Sequence, residues 1–351
     1  MIKIIEAQLN PKSLTWIACV IGLSLLVNAG NACPASANTN RGEGSGPISI
    51  VNQSPIQLLF LQAIPDDAET LPRGQSSLRF NTTLTNTLLS QTSENYTGVI
   101  DMEMIRTSLE LQYGVWQGVE VGTSLPFVYS YSGFMDQMIL DFEEFFFDST
   151  RTARVHQEAY NYEYYIRKDN KPLISGEKRC SGIGDLVLRA KGKICDEGRT
   201  LPALSTRVAF KVPTGEKDRA LGSGEPDYGF GLLLQKDIKT MTAYLNADVI
   251  VPGDAFDQEG VSLREFYEVM LGLEYKVSSR TSLLAQLNYV TRPFKGTGLQ
   301  MLDRRIYDLL LGIHYLTEGG VFFQGGAIED FNRSWEAGAD ITFFLNVGKN
   351  F

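Results

Sequence analysis

The chain has 351 residues, 43% of them apolar and 21% charged, with a net charge of −9 at pH 7 and a pI of about 5.0. An acidic balance argues against nucleic acid as a partner. No run of eighteen apolar residues follows the first forty, so the sequence offers the mature chain no spanning helix, and a membrane protein of this composition must cross with strands.

Residues 1–37 read as a secretory signal peptide: Lys12 precedes the apolar run Leu14 to Val27, and Ala35-Ser36-Ala37 supplies a small-x-small cleavage pattern. Gly30-Asn31-Ala32-Cys33 offers a lipoprotein site instead, with Gly where Leu is usual. Residues 38–76 form a second unit. Asn38 to Gly46 is a polar, Gly-rich linker. The apolar stretch 48–65 that follows is broken by Pro55 and Pro65, and it serves as a periplasmic tether, as a plug inside a barrel, or as a lead-in to the first strand. Asp66-Asp67 could be a paired-carboxylate site but read as a polar turn.

From Ser77 to Phe351 apolar residues recur at every second place over runs of about ten, the length a tilted membrane strand needs. Twelve such runs are predicted, at 77–88, 99–113, 119–131, 183–194, 203–213, 226–236, 241–252, 263–277, 281–293, 304–316, 320–330 and 335–351. The connections alternate between short and long, as periplasmic turns and external loops do; 331–334 is the one short external loop. The expected fold is therefore all-β: a transmembrane antiparallel up-and-down β-barrel of about twelve strands. A water-soluble β-sandwich would share the alternation but not the loop asymmetry. The last strand puts Val347, Leu345, Phe343 and Ile341 on one face, and Asn350, Gly348, Asn346 and Thr342 on the other. It ends in Phe351, which resembles the assembly signal of Gram-negative outer-membrane barrels. The expected location is the outer membrane, with its lipid and the barrel-assembly machinery as partners.

The alternation assigns Leu186, Leu188, Tyr267 and Leu271 to lipid. It assigns to the lumen Arg79, Arg106, Glu110, Glu120, Arg189, Lys191, Arg207, Lys211, Asp248, Glu268, Glu274, Arg292 and Asp340. Arg264 and Lys276 read the same way. Opposite charges are expected to meet across a narrow bore, either filling it or lining a polar pore. In the longest loop Met135, Met138, Ile139, Phe142, Phe145 and Phe146 recur at helical spacing and predict a short amphipathic helix, a candidate lid over the mouth. Cys180 and Cys195 fall at opposite ends of one predicted strand, on the order of 50 Å apart, and are expected to be free thiols.

The histidines are His156 and His314; His314 is placed inside the barrel, away from the rim where a lipid-acting enzyme would work. No adjacent Asp-Ser pair resembles the nucleophile motif of such enzymes, and no zinc spacing or phosphate-binding loop is present. The sequence thus predicts no enzyme, no metal and no cofactor.

Gly182-Ile-Gly-Asp185, Val212-Pro-Thr-Gly215 and Leu221-Gly-Ser-Gly224 occur in that order, preceded by Asn52-Gln-Ser-Pro55 and Gly133-Phe-Met-Asp136 and followed by Ile328-Glu-Asp330. In these pieces the chain resembles a bacterial family catalogued as domain of unknown function 3187, over roughly 48–351. The Gly-x-Gly-Asp and Pro-Thr-Gly pieces more loosely resemble barrels described as putative transporters of aromatic-compound degradation pathways. That resemblance implies a passive channel for a small, hydrophobic or aromatic molecule. A structural or surface-interaction barrel is the alternative.

Overall fold

The computed structural model describes residues 46–135, 161–331 and 338–351. Its strands are β1 (Ser76–Thr92), β2 (Tyr96–Trp116), β3 (Val119–Tyr131), β4 (Glu163–Lys168), β5 (Lys171–Ser175), β6 (Ser181–Ile183), β7 (Leu186–Cys195) and β8 (Ala203–Val212). They continue as β9 (Asp227–Ile238), β10 (Met241–Val251), β11 (Phe266–Lys276), β12 (Thr281–Val290), β13 (Ile306–Leu316), β14 (Val321–Asp330) and β15 (Ile341–Asn350). β1–β3 and β7–β15 close on themselves in an antiparallel barrel of twelve strands, sealed where β1 meets β15 from Ser77↔Asn350 to Asn86↔Ile341. Among the described residues no helix is long and apolar enough to cross a membrane. The helix Gln300–Asp303 lies between β12 and β13.

The period of two decides the facing. Phe80, Leu111, Val121, Phe127, Leu188, Leu271, Leu311 and Leu345 are exposed on the outer wall, an apolar belt too large for a soluble surface. Tyrosine and phenylalanine pairs stand at the long-loop rim: Tyr129 with Tyr131, Phe210 with Tyr228, and Tyr289 with Tyr307, at centroid distances of 5.3, 5.2 and 5.0 Å. These are interfacial positions for rings with one wet edge. The β3–β7 ladder stops at Ser124↔Val187 and resumes between β3 and β6 at Phe127↔Ile183. Pro126, with no N–H to donate, sits at the break, and its carbonyl accepts from Gly184 N at 2.9 Å.

Four expectations change. The connection predicted at 89–98 shrinks to 93–95, because β1 and β2 run on beyond the barrel. Residues 132–182 carry β4, β5 and β6, and β4 pairs with the extension of β2 (Ile100↔Tyr164). β15 begins at Ile341 rather than 335, and residues 338–340, predicted in that strand, precede it. Arg264 precedes β11 and donates from Nε to Arg292 O at 3.3 Å instead of entering the barrel. Cys180 and Cys195 are free thiols at opposite ends of the wall.

Candidate functional site

Residues 46–72 occupy the lumen, entering at the short-turn end, rising to the long-loop end and returning. Irregular backbone at membrane depth must find internal partners for its polar groups, and the inward-facing side chains supply them. On the rising leg Ile48 N–H donates to Gln286 Oε1 at 2.9 Å, Arg79 Nη1 to Ser49 Oγ at 3.0 Å and Asn52 Nδ2 to Asp308 Oδ2 at 2.7 Å. A short turn, Gln57–Leu59, makes the tip, near which Arg292 meets Ser54 Oγ. On the return leg Leu61 N–H donates to Asp227 at 2.7 Å, Ala63 N–H to Glu268 at 2.7 Å, Asp66 N–H to Asn246 at 2.9 Å and Leu71 N–H to Glu120 at 2.8 Å. Leu59 O accepts from Lys211 at 2.7 Å, Ile64 O from Arg207 and Ala68 O from Ser205 at 2.5 Å. The leg is extended, with a ladder partner made of side chains.

Apart from Arg264, the predicted lumen charges face inward, but they pair along the wall and with this segment rather than across a bore that the segment fills. Arg207 grips Asp248 with Nε and Nη2 at 2.7 and 2.6 Å. Arg189 meets Glu110 at 3.1 Å. Lys191 binds Glu120 at 3.1 Å, Asp66 at 3.0 Å and Asp67 at 3.6 Å. Asp66-Asp67 is thus a buried lumen element and not a polar turn ahead of the first strand. Burial raises the Asp66 carboxyl, but Lys191, Arg189 and Arg79 outweigh it and hold the group at about 2. Glu274 accepts from Tyr244 Oη at 2.7 Å, and Asp340 from Leu88 N–H at 3.1 Å. Arg106 points inward from β2 and lines the cavity described below.

The three glycine-containing motifs converge on Lys211, which is 1% exposed. Its Nζ meets Asp185 at 3.2 Å, Asp227 at 2.9 Å and Ser223 Oγ at 2.6 Å, besides Leu59 O. Gly215 N–H donates to Asp185 Oδ1 at 2.8 Å, while Thr214 Oγ1 donates to Gly184 O at 2.8 Å and accepts from Leu186 N–H at 2.9 Å. Only glycine fits at 222, where a Cβ would stand 2.4 Å from Asp185 Oδ1.

The long-loop end is closed by an apolar cluster of Leu59, Phe60 and Leu61 from the tip with Ile100, Tyr164, Phe256, Phe266, Phe294 and Met301. Phe60 meets Phe256, Phe266 and Phe294 edge-on at 6.5, 6.3 and 5.8 Å. Beneath it, between the tip and the wall of β2, β3 and β7, lies a cavity of about 70 Å³ lined by Leu58, Phe60, Met102, Met104, Arg106, Val128, Val187 and Tyr164 among others. Of the predicted loop helix, Met135 is buried and its N–H donates to Glu103. Met138, Ile139, Phe142, Phe145 and Phe146 lie outside the described residues, as do His156 and the signal peptide. His314 is buried against Phe322, ring centroids 5.8 Å apart. Among the described residues no group of three His, Cys, Asp or Glu is placed to hold a metal ion.

Sequence reasoning missed the neutral and acidic anchors Gln286, Asn246, Gln235, Ser205, Asp308 and Asp227. All fall on the inward alternation, so their polarity was legible, but nothing local names a partner some 130 to 260 residues away in the chain.

A family model described as Protein of unknown function (DUF3187) matches residues 23–351. No curated protein matches the chain by sequence. Among solved structures, the COG4313 outer membrane channel from Pseudomonas putida F1 is similar at a TM-score of 0.56 and 18% identity, covering 83% of this chain and 100% of that one. The KdgM porin gives a TM-score of 0.41 at 6% identity, covering 78% and 99%. The Ralstonia pickettii toluene transporter TbuX gives 0.40 at 8%, covering 89% and 97%.

Proposed function

We propose that this chain, which belongs to the family described as Protein of unknown function (DUF3187), is a non-enzymatic outer-membrane channel for a small, largely apolar molecule, plugged by its own residues 46–72. The observation that carries the reading is the polarity of the wall behind the plug. Gln235, Asn246, Glu268, Gln286 and Asp308 all turn inward and are buried, and the same groups can hold water once the segment leaves. A barrel built only for strength would fill its interior with apolar side chains, avoiding the desolvation of so many polar ones. The apolar cavity under the tip supports a cargo of mixed character.

One observation favours the alternative of a non-transporting structural barrel: the lumen is filled along its length and capped by the Phe60 cluster. Planar-bilayer recording separates the two. The full chain is expected to conduct rarely, and a variant lacking 46–70 to show stable openings. If the deletion variant folds, judged by faster migration of unheated samples on gels, yet stays silent, the channel reading fails and the structural one stands.

A further inference from the structure

We propose that the cavity beside the plug is a binding site for a small organic carboxylate, with Arg106 as the partner of its anionic group. This rests on the channel reading and adds the chemical class of the ligand. Of the cations predicted in the lumen, Arg264 is exposed and Lys276 is half-buried at the short-turn end of β11; of the other seven, six have partners: Arg79, Arg189, Lys191, Arg207, Lys211 and Arg292 each meet a carboxylate, a hydroxyl or a carbonyl. Arg106 is the exception. Among the described residues its guanidinium makes no hydrogen bond or ion pair, and the cavity it lines is where its planar fork of donors has room.

The nearest acid on its own strand face is Glu110, and that carboxylate is already held by Arg189 at 3.1 Å and Asn81 Nδ2 at 2.6 Å. Across the ladder Arg106 faces Thr83 on β1 and Val128 on β3, and the Thr83 hydroxyl is directed to Gln53 Oε1 of the plug at 2.9 Å. A cation inside a barrel, away from bulk water and without a counter-charge, is the arrangement that marks a ligand or ion path. The planar fork of arginine matches a carboxylate in two parallel hydrogen bonds.

The remaining walls select the body of the ligand. Met102, Met104, Val128, Val187 and Phe60 present apolar surface, and methionine adapts to flat or irregular shapes. Asp185 and Lys211, paired with each other at 3.2 Å, and Arg219 border the cavity as well. A volume of about 70 Å³ takes about five to seven water-sized spheres at ~10–15 Å³ each and is about half of the ~150 Å³ that holds a benzene ring, so the site suits a short-chain acid and excludes an aromatic or long-chain one. The Tyr164 hydroxyl, buried without a partner, adds a polar group to the lining toward the long-loop end, six residues up β2 from Arg106 by its pairing with Ile100.

The test is calorimetric titration of the full chain, reconstituted in phosphatidylcholine vesicles, with sodium propionate and with propionamide, its neutral counterpart of the same shape. Propionate is expected to bind roughly tenfold or more tightly than propionamide, the worth of one charge-assisted hydrogen bond. Arg106→Gln is expected to erase that preference and Arg106→Lys to restore part of it. Equal affinity for the two probes in the native protein, or no binding of either, overturns the proposal without any variant. Propionate binding unchanged in a folded Arg106→Gln protein overturns it too. Conductance of the variant lacking 46–70 is read separately: openings without propionate preference leave the channel standing and remove the site, and preference without openings does the reverse.

Discussion

Replacing Lys211 by Met removes the one cation that holds the plug tip and the three motifs together. Asp185 and Asp227, 6% and 0% exposed, are left as two carboxylates whose shared counter-ion, at 3.2 and 2.9 Å, is gone. Breaking a buried pair by deleting one partner costs about 3–5 kcal/mol, because the remaining charge is stranded. Asp227 keeps the N–H groups of Leu61 and Gly253 at 2.7 and 2.9 Å, and Asp185 keeps that of Gly215 at 2.8 Å. That residual solvation puts the expected loss near the lower end, about 3 kcal/mol. The urea midpoint of the barrel in micelles, with the folded fraction read from unheated gels, measures it. Adding Asp185→Asn and Asp227→Asn to Lys211→Met removes the stranded charge and is expected to recover half or more of the loss. A single-variant loss below about 1 kcal/mol, or no recovery in the triple variant, would refute the argument that Lys211 acts by neutralising this pair.

Phe60→Ala empties the centre of the aromatic cluster, a change worth about 3–5 kcal/mol in a packed core. It is expected to raise open probability in bilayers, and unchanged silence would mean the cluster does not hold the tip. Gly222→Ala puts a methyl group 2.4 Å from Asp185 Oδ1 and should destabilise by about 1–3 kcal/mol, whereas Gly192→Ala, with nothing within 4 Å, should be neutral; equal urea midpoints would sink the motif geometry. Deleting Phe351, 65% exposed and on the outer face, should lower the amount assembled in the membrane while leaving the midpoint of the assembled fraction within about 0.5 kcal/mol. Normal yield would show that the terminus is not read during assembly.

The twelve spanning strands were legible because each has one face in lipid and one in the lumen, so a period of two survives in the sequence. Where both faces are covered it does not. From Thr85 to Leu89 every residue is buried, so the alternation fails there, and the continuation of β1 to Thr92 and the start of β2 at Tyr96 were read as a loop. The hairpin of β4 and β5 left a readable trace: Asp169 and Asn170 take φ of 49° and 62°, as a tight two-residue turn requires. The 46–72 segment could not be placed from sequence. Its extended return leg takes its ladder from side chains scattered over β3 and β7–β11, and no local pattern encodes such partners. The glycine motifs were visible as pieces in order, but that they close around Lys211 is a fact of three-dimensional registry.

The distribution of anchors says which part of the plug governs release. A backbone amide that leaves Glu268 or Asn246 exchanges one hydrogen bond for another with incoming water, a net change of only about 0.5–1.5 kcal/mol each. Charged side chains such as Arg207 and Lys191 keep Asp248 and Glu120 as wall partners when the segment goes, at 2.6 and 3.1 Å. The tip has no such substitute: Leu59, Phe60 and Leu61, all buried, lose contact with Phe256, Phe266 and Phe294 and gain only exposure, at about 1.5–3 kcal/mol for each large side chain. The hold is therefore strongest at the long-loop end, beside the cavity that Leu58 and Phe60 help to line. A ligand bound as proposed would compete directly for the apolar contacts that keep the tip in place, whereas one approaching from the short-turn end would meet anchors that water can replace.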